Sequence, residues 1–207
     1  LVFYHGGGAH SLAGYQYFAQ ALSEKQRVST YLVDIRGHGQ SGGERGDAPG
    51  AEQVWQDVST VIAAVRAQAP QAPLFLGAHS SGAGLLLNYL DAHGVDFIDG
   101  FAFIAPEFGY RADVKRKTEN RFAYVSYPAF IINSLSAGYV CGHCQAVRFN
   151  YSSETIAKGG FLAGYTVNMS KAVTPHSPSE QLARLKGRLG VWVGTEDELF
   201  DPDKLKL

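Results

Sequence analysis

Short apolar runs bounded by glycine, proline or polar clusters recur at Leu1–Tyr4, Val28–Val33, Leu74–Ala78, Phe97–Ala105 and Leu189–Val193, and each predicts a strand. Most are continuous rather than alternating, the pattern of strands covered on both faces. Between them the period changes to that of a helix: Leu12–Glu24, then Ala51–Gln68 with Val54, Val58, Val61, Ile62 and Val65 on one side, then Ser81–Ala92. Strand and helix alternate, which predicts an α/β fold with a mostly parallel, doubly wound sheet.

The alternation stops after Ala105, and the next convincing strand is expected only at Leu189. Within the gap, Arg111–Arg121 is rich in Lys and Arg and reads as a solvated face. Phe122–Val147 contains no Asp, Glu, Lys or Arg and many aromatics. Pro128, Asn133, Gly138 and Gly142 interrupt that stretch, which argues against a membrane-spanning helix. The contrast suggests a cap insertion over residues 106–178, between a core of residues 1–105 and 179–207, with ordinary core packing as the alternative. Transient contact with a lipid surface is compatible with such a cap.

Composition adds limits. At 207 residues, 45% hydrophobic and 18% charged, the chain can bury a core of its own. A formal net charge of -1 gives no electrostatic reason to expect nucleic acid as a partner. Cys141 and Cys144 are the only cysteines. Their spacing suits a redox pair, half of a zinc site with His143 nearby, or two inert thiols. No second ligand pair follows at zinc-ribbon spacing, so no metal is expected and two inert thiols are the preferred reading. The chain opens on Leu1 inside an apolar run, and its single methionine is Met169, which reads as a fragment or processed form.

The candidate chemistry sits where the third strand meets the third helix, at Gly77-Ala78-His79-Ser80-Ser81-Gly82-Ala83-Gly84. A serine held in a sharp strand-to-helix turn presents its hydroxyl above the sheet edge, and the positions two before and two after it must be small. Ala78 and Gly82 meet that condition around Ser80; around Ser81 the same positions hold His79 and Ala83, and an imidazole fits poorly. The alternative is a plain serine and glycine helix cap. His5-Gly6-Gly7-Gly8 follows the first strand, where glycines allow backbone amides to face an oxyanion; the amides of Gly7 and Ser81 are the candidate donors. A simple turn or a weak phosphate cradle is the competing reading, without the lysine pattern of a nucleotide loop. Asp34-Ile35-Arg36-Gly37-His38-Gly39-Gln40-Ser41 reads as a scaffold loop in which Asp34 and Arg36 could pair and His38 is a satisfied loop residue.

Together these segments resemble the α/β-hydrolase superfamily, especially its monoacylglycerol lipase and lysophospholipase branch, grouped with serine aminopeptidase-like hydrolases. His5-Gly6-Gly7-Gly8-Ala9-His10-Ser11, Asp34-x-Arg36-Gly37-His38-Gly39-x-Ser41 and His79-Ser80-x-Gly82 occur in that family's order. The resemblance implies Ser80 as nucleophile, His5, Gly6, Ala78, His79 and Gly82 as scaffold, no cofactor, and a small-molecule acyl ester as partner. It places the acid in Gly194-Thr195-Glu196-Asp197-Glu198, at Asp197, with Glu196, Glu198, Asp201 and Asp203 as rivals. The family's histidine follows its acid, yet all seven histidines here precede Asp197. His176, the nearest, is expected to begin a helix. The expectation is therefore an ester hydrolase whose base lies outside this sequence, with a noncatalytic binding module of the same fold as rival and thioester, amide or peptide cleavage as variants. Epoxide and haloalkane chemistry is disfavoured, because relatives with that chemistry carry Asp where Ser80 stands.

Overall fold

The computed structural model describes residues 1–94, 96–116, 121–185 and 187–205. Its centre is a parallel sheet of five strands: β1 (Val2–Tyr4), β2 (Tyr31–Val33), β3 (Phe75–His79), β4 (Gly100–Ile104) and β8 (Leu189–Trp192), in the order β2-β1-β3-β4-β8. These are the five expected runs, shortened by their neighbours. Tyr31 pairs with Val2 at the start of β1, so Val28–Thr30 have no partner strand at that register. Likewise β4 starts at Gly100, opposite Phe75.

Three helices connect the first four strands: α1 (Tyr15–Gln26), α2 (Ala51–Gln68) and α3 (Ser81–His93). The alternation of side chains along β1 sorts them. Phe3 points toward α1, its ring 5.2 Å from Phe18 and 5.6 Å from Tyr15. Val2 and Tyr4 face the other way, into the core with Val54, Val58, Ile62 and Val65 of α2 and Leu85, Leu86 and Tyr89 of α3. Helices thus cover both faces of the sheet. Every residue of α3 from Gly82 to Leu90 is buried, which explains why its apolar pattern runs nearly all round.

Between β4 and β8 the chain makes a long excursion. It contains a second, antiparallel sheet ordered β5-β6-β7, from β5 (Ala123–Val125), β6 (Gln145–Phe149) and β7 (Gly164–Thr166), with α4 (Tyr127–Leu135) and α5 (Ser153–Gly159) between them and α6 (Val167–Val173) and α7 (Pro178–Ala183) after them. The sequence suggests no strand here. Strands of three to five residues, interrupted by helices, leave too little alternation to read. The expected boundary at residue 178 falls after α6, which packs on α2 and α3: Trp55 Nε1 donates to Ala172 O, and Asn88 Nδ2 donates to the carbonyls of Lys171, Ala172 and Thr174.

Three further readings are corrected. Cys141 and Cys144 form a disulfide, in place of two inert thiols. Arg36 pairs with Asp57 of α2, through Nε at 2.7 Å and Nη2 at 2.8 Å, and leaves Asp34 to the backbone. The basic stretch is not merely solvated. Lys115 pairs with Glu107, while the Arg116 side chain donates to Thr195 O and Phe200 O; Lys117–Asn120 lie outside the described residues. Among the described residues no helix is long and apolar enough to cross a membrane, and no group of three or more metal-binding side chains assembles.

Candidate active site

β3 passes into α3 through Ser80, whose backbone at φ 51, ψ -123 lies in a region that side chains rarely adopt. The strained turn is pinned from several directions. Ser80 N–H donates to Ile104 O, and Ser80 O accepts from Ala83 and Glu107. Gly82 is required: a Cβ there would lie 2.7 Å from His5 O and 2.9 Å from Tyr4 O, both backbone atoms. Ala78, fully buried and paired with Tyr4 on one side and Phe103 on the other, fits without displacing either strand.

The loop after β1 lies beside this turn. The amides of Gly6 and Gly8 donate to the hydroxyls of Tyr15 and Tyr165. The Gly7 amide has no partner among the described residues, and the Ser81 amide opens α3, where helix geometry offers none. Asp34 buttresses the loop, its Oδ1 accepting from Ser11 N–H at 2.6 Å and its Oδ2 from Gln40 N–H at 2.8 Å. Burial pushes the Asp34 carboxyl up, but the Gln40 and Ser11 amides outweigh it and hold the group below the usual carboxylate range.

Asp197 follows β8 by a short turn. Its Oδ1 accepts from the amides of Leu199 (2.9 Å) and Phe200 (2.8 Å), which fixes the carboxylate plane and leaves Oδ2 without a hydrogen bond among the described residues. Its rivals lack that setting: Glu196, Glu198 and Asp203 are exposed, and Asp201 caps its own turn by accepting from Asp203 N–H. Residues 114–116 support this loop from the other side, because Asp201 N–H donates to Val114 O and Arg116 N–H to Leu199 O.

A cavity of about 250 Å³ brings Gly6, Gly7, His79, Ser80 and Asp197 together, walled by Tyr15, Phe122, Tyr151, Phe161, Leu199 and Phe200. Ala78, Gly82 and His5 are buried, and they and Ser81 lie outside the lining. A larger hollow of about 650 Å³ runs along β2 and α2, away from Ser80, and gathers no comparable set of groups.

The histidines fill other positions. His5 donates from Nδ1 to Gly6 O and accepts Ile35 N–H at Nε2; His38 donates from Nδ1 to Arg36 O and accepts the Tyr165 hydroxyl at Nε2. Burial is the main reason their pKa values fall to about 4 and about 3, so both stay neutral; the nearby His5 lowers His38 further. His10 bonds Gly159 O, His93 stacks on Tyr89, His143 bonds Asp47, and His176, just ahead of α7, bonds Asp91. His79 alone lines the cavity with Ser80, its Nδ1 taken by the Tyr15 hydroxyl at 2.8 Å. Burial lowers its pKa, and the Asp197 charge opposes that. Among the described residues no imidazole is hydrogen bonded to Ser80. The tyrosines at 15, 151 and 165 are absent from the sequence reading, because nothing in their local context distinguishes them from core aromatics.

The family model described as serine aminopeptidase, S33, matches residues 1–206. The chain belongs to this family. A Schizosaccharomyces pombe protein assigned by name to the monoglyceride lipases is 41% identical over 93 residues, 43% of this chain and 24% of that protein. Protein phosphatase methylesterase 1 of Mus musculus is 28% identical over 120 residues, 58% of this chain and 31% of that protein. The matched stretches thus span about a quarter to a third of these relatives. Among solved structures, the monoacylglycerol lipase of Paleococcus ferrophilus superposes with a TM-score of 0.65 at 18% identity, covering 98% of this chain and 76% of that one. A soluble variant of monoglyceride lipase from Saccharomyces cerevisiae, in complex with a substrate analog, gives 0.64 at 17% identity over 98% and 70%. The S33 chain therefore has the α/β-hydrolase fold.

Proposed function

We propose that this S33 chain carries the catalytic core of a serine ester hydrolase acting on monoacylglycerol- or lysophospholipid-like acyl substrates, with its cap formed within residues 106–178, ahead of α6. The observation that carries the reading is the strained Ser80 sharing one cavity with the Gly7 amide, unpartnered among the described residues, and the Asp197 carboxylate, held at one oxygen. Ser80 Oγ attacks the acyl carbon. The amides of Gly7 and Ser81 receive the oxyanion, each contributing about 3 to 4 kcal/mol of barrier lowering. Asp197 Oδ2 holds the Nδ1–H of an imidazole that takes the serine proton and returns it to the leaving alcohol. None of the seven histidines is so placed, and the proposal assigns this base to a histidine outside residues 1–207. Residues 1–207 alone are then expected to turn over esters on the order of 10⁶-fold more slowly than the complete triad.

The test is fluorophosphonate labelling of the full-length protein together with ester turnover. Labelling maps to Ser80, Ser80→Ala abolishes both signals, and Asp197→Asn lowers kcat by about 10⁴-fold, whereas Glu198→Gln leaves it near wild type. Turnover that survives Ser80→Ala overturns the reading. The same histidine placement favours one rival, a binding module that holds acyl esters without cleaving them; ester binding without labelling or turnover by the full-length protein would establish it. A panel of matched esters, thioesters and amides separates the leaving groups.

A further inference from the structure

Each peptide plane between His5 and Gly8 is held by at least one hydrogen bond. The His5–Gly6 plane is held by its N–H, which donates to the Tyr15 hydroxyl at 3.0 Å. The Gly6–Gly7 plane is held by its carbonyl, which accepts from His5 Nδ1 at 2.9 Å and from Ala9 N–H at 3.2 Å. The Gly7–Gly8 plane is held at both ends: its carbonyl accepts the Tyr151 hydroxyl at 2.7 Å, and its N–H donates to the Tyr165 hydroxyl at 2.8 Å. Leu162 N–H then donates to Gly8 O. Among the described residues, the one N–H of this loop left without a partner is that of Gly7.

Tyr151, Leu162 and Tyr165 all belong to the excursion between β4 and β8. Resting on the reading of Ser80 and Gly7 given above, we propose that Tyr151 and Tyr165 are positioning residues: by fixing the plane that follows Gly7, while His5 and Ala9 hold the plane that carries its N–H, they lock the Gly7 backbone in the one conformation that turns this amide toward the oxyanion, making the excursion a working part of the hole as well as its cover.

The proton inventory of these hydroxyls is consistent. Tyr165 has one hydrogen and spends it on His38 Nε2, 2.7 Å away, which frees its oxygen to accept Gly8 N–H. That requires a neutral His38 protonated on Nδ1, the tautomer its bond to Arg36 O demands. Tyr151 spends its hydrogen on Gly7 O. Packing fixes both rings: Phe149 meets Tyr165 edge-on at 4.8 Å and Tyr151 at 5.7 Å, and Phe161 meets Tyr151 at 4.9 Å. Gly8 admits them because a Cβ there would lie 2.8 Å from the Phe149 ring and 3.0 Å from that of Tyr151. A lid that only covered the cavity would have no need of hydrogen bonds to this loop.

The experiment compares Tyr151→Phe and Tyr165→Phe with the wild-type full-length protein. It measures the second-order rate of Ser80 phosphonylation by a fluorophosphonate, the separate kcat and KM for a soluble ester, and thermal stability. Misaiming one oxyanion donor is expected to lower kcat and the labelling rate about 10- to 100-fold with KM within about twofold. Tyr165→Phe also leaves a buried amide and imidazole unpaired and is expected to lower the melting temperature. Tyr151→Phe is the cleaner probe, since Tyr151 is only partly buried and its hydroxyl serves Gly7 O alone, so the variant removes the clamp without orphaning a buried imidazole. Leu135→Ser, on the exposed surface of α4, serves as the control for a cap altered away from the loop. Wild-type labelling at Ser80 with undiminished kcat in both tyrosine variants overturns the clamp alone, as does a loss shared equally by Leu135→Ser. Absence of wild-type labelling overturns the clamp together with the reading of Ser80.

Discussion

Ser80 and the two buried histidines near it show how single positions carry opposite kinds of information. Around Ser80 the steric demand is local: strand, strained residue and helix meet within a few positions, so small neighbours at 78 and 82 announce the turn before any contact is known. His5 and His38, read from the sequence as scaffold and as a satisfied loop residue, are held in the fold by backbone and tyrosine partners. Their folded pKa values of about 4 and about 3 lie below the value near 6.5 of an unfolded histidine, so the unfolded chain takes up protons first as pH falls. The stability they protect is whole above pH 6.5 and is lost as pH falls toward 4 for His5 and toward 3 for His38. Urea unfolding should show a loss on the order of 3 kcal/mol between pH 7 and pH 5, above the range in which Asp34 and Asp47 titrate. A flat profile across that interval contradicts the assignment. Asp34 and Arg36 were less legible: the partner that wins Arg36 is Asp57, on a helix face whose orientation the loop sequence does not contain.

At the scale of elements, legibility follows the length of the repeating pattern. The runs that form the parallel sheet, and α2 from Ala51 to Gln68, could be read because their burial is continuous over whole elements. The antiparallel sheet of the excursion could not, since its strands are paired by tertiary contacts and carry little pattern of their own. Its cross-links were hidden for the same reason. The Cys141–Cys144 disulfide sits between α4 and β6, next to His143, which bonds Asp47 at 2.7 Å; Thr166 bonds the other oxygen of Asp47 at 2.5 Å. Asn168 Nδ2 donates to Ala48 O and Pro49 O. The loop after β2 is thus fastened to the excursion at the point the disulfide stiffens. Closing so short a loop removes chain entropy worth about 2 kcal/mol in the unfolded state. Dithiothreitol, or Cys141→Ser with Cys144→Ser, should lower unfolding free energy by about that amount. No change on reduction would mean that the disulfide constrains nothing beyond what Asp47 already holds.

For the whole molecule, the cavity is a joint product of the sheet edge and the excursion. Ser80, Gly7 and Asp197 come from loops after β3, β1 and β8, while Phe122, Tyr151 and Phe161 come from the excursion. The charge-free, aromatic stretch suggested an apolar cap, but the capacity of the cavity could not be read, because it depends on how far the rings of Phe122, Tyr151 and Phe161 reach over the sheet edge. At about 250 Å³ the cavity falls just under the usual range for drug-sized ligands, roughly 300 to 1,000 Å³. On the ester hydrolase reading proposed above, it would hold the acyl carbons nearest the ester, with any longer chain continuing outside. Each methylene that enters is worth about 0.8 kcal/mol, or roughly a fourfold gain in kcat/KM. Across a series of straight-chain esters, kcat/KM should climb by that factor and then level off once the cavity is full. Phe161→Ala removes one wall and also loosens the Tyr151 ring it packs against, so it should lower kcat for every ester alike; read relative to the shortest ester, the plateau should shift to longer chains. If the plateau stays at the same length in Phe161→Ala, the acyl group occupies some other surface, and the excursion's aromatics serve the loop they hold rather than the substrate.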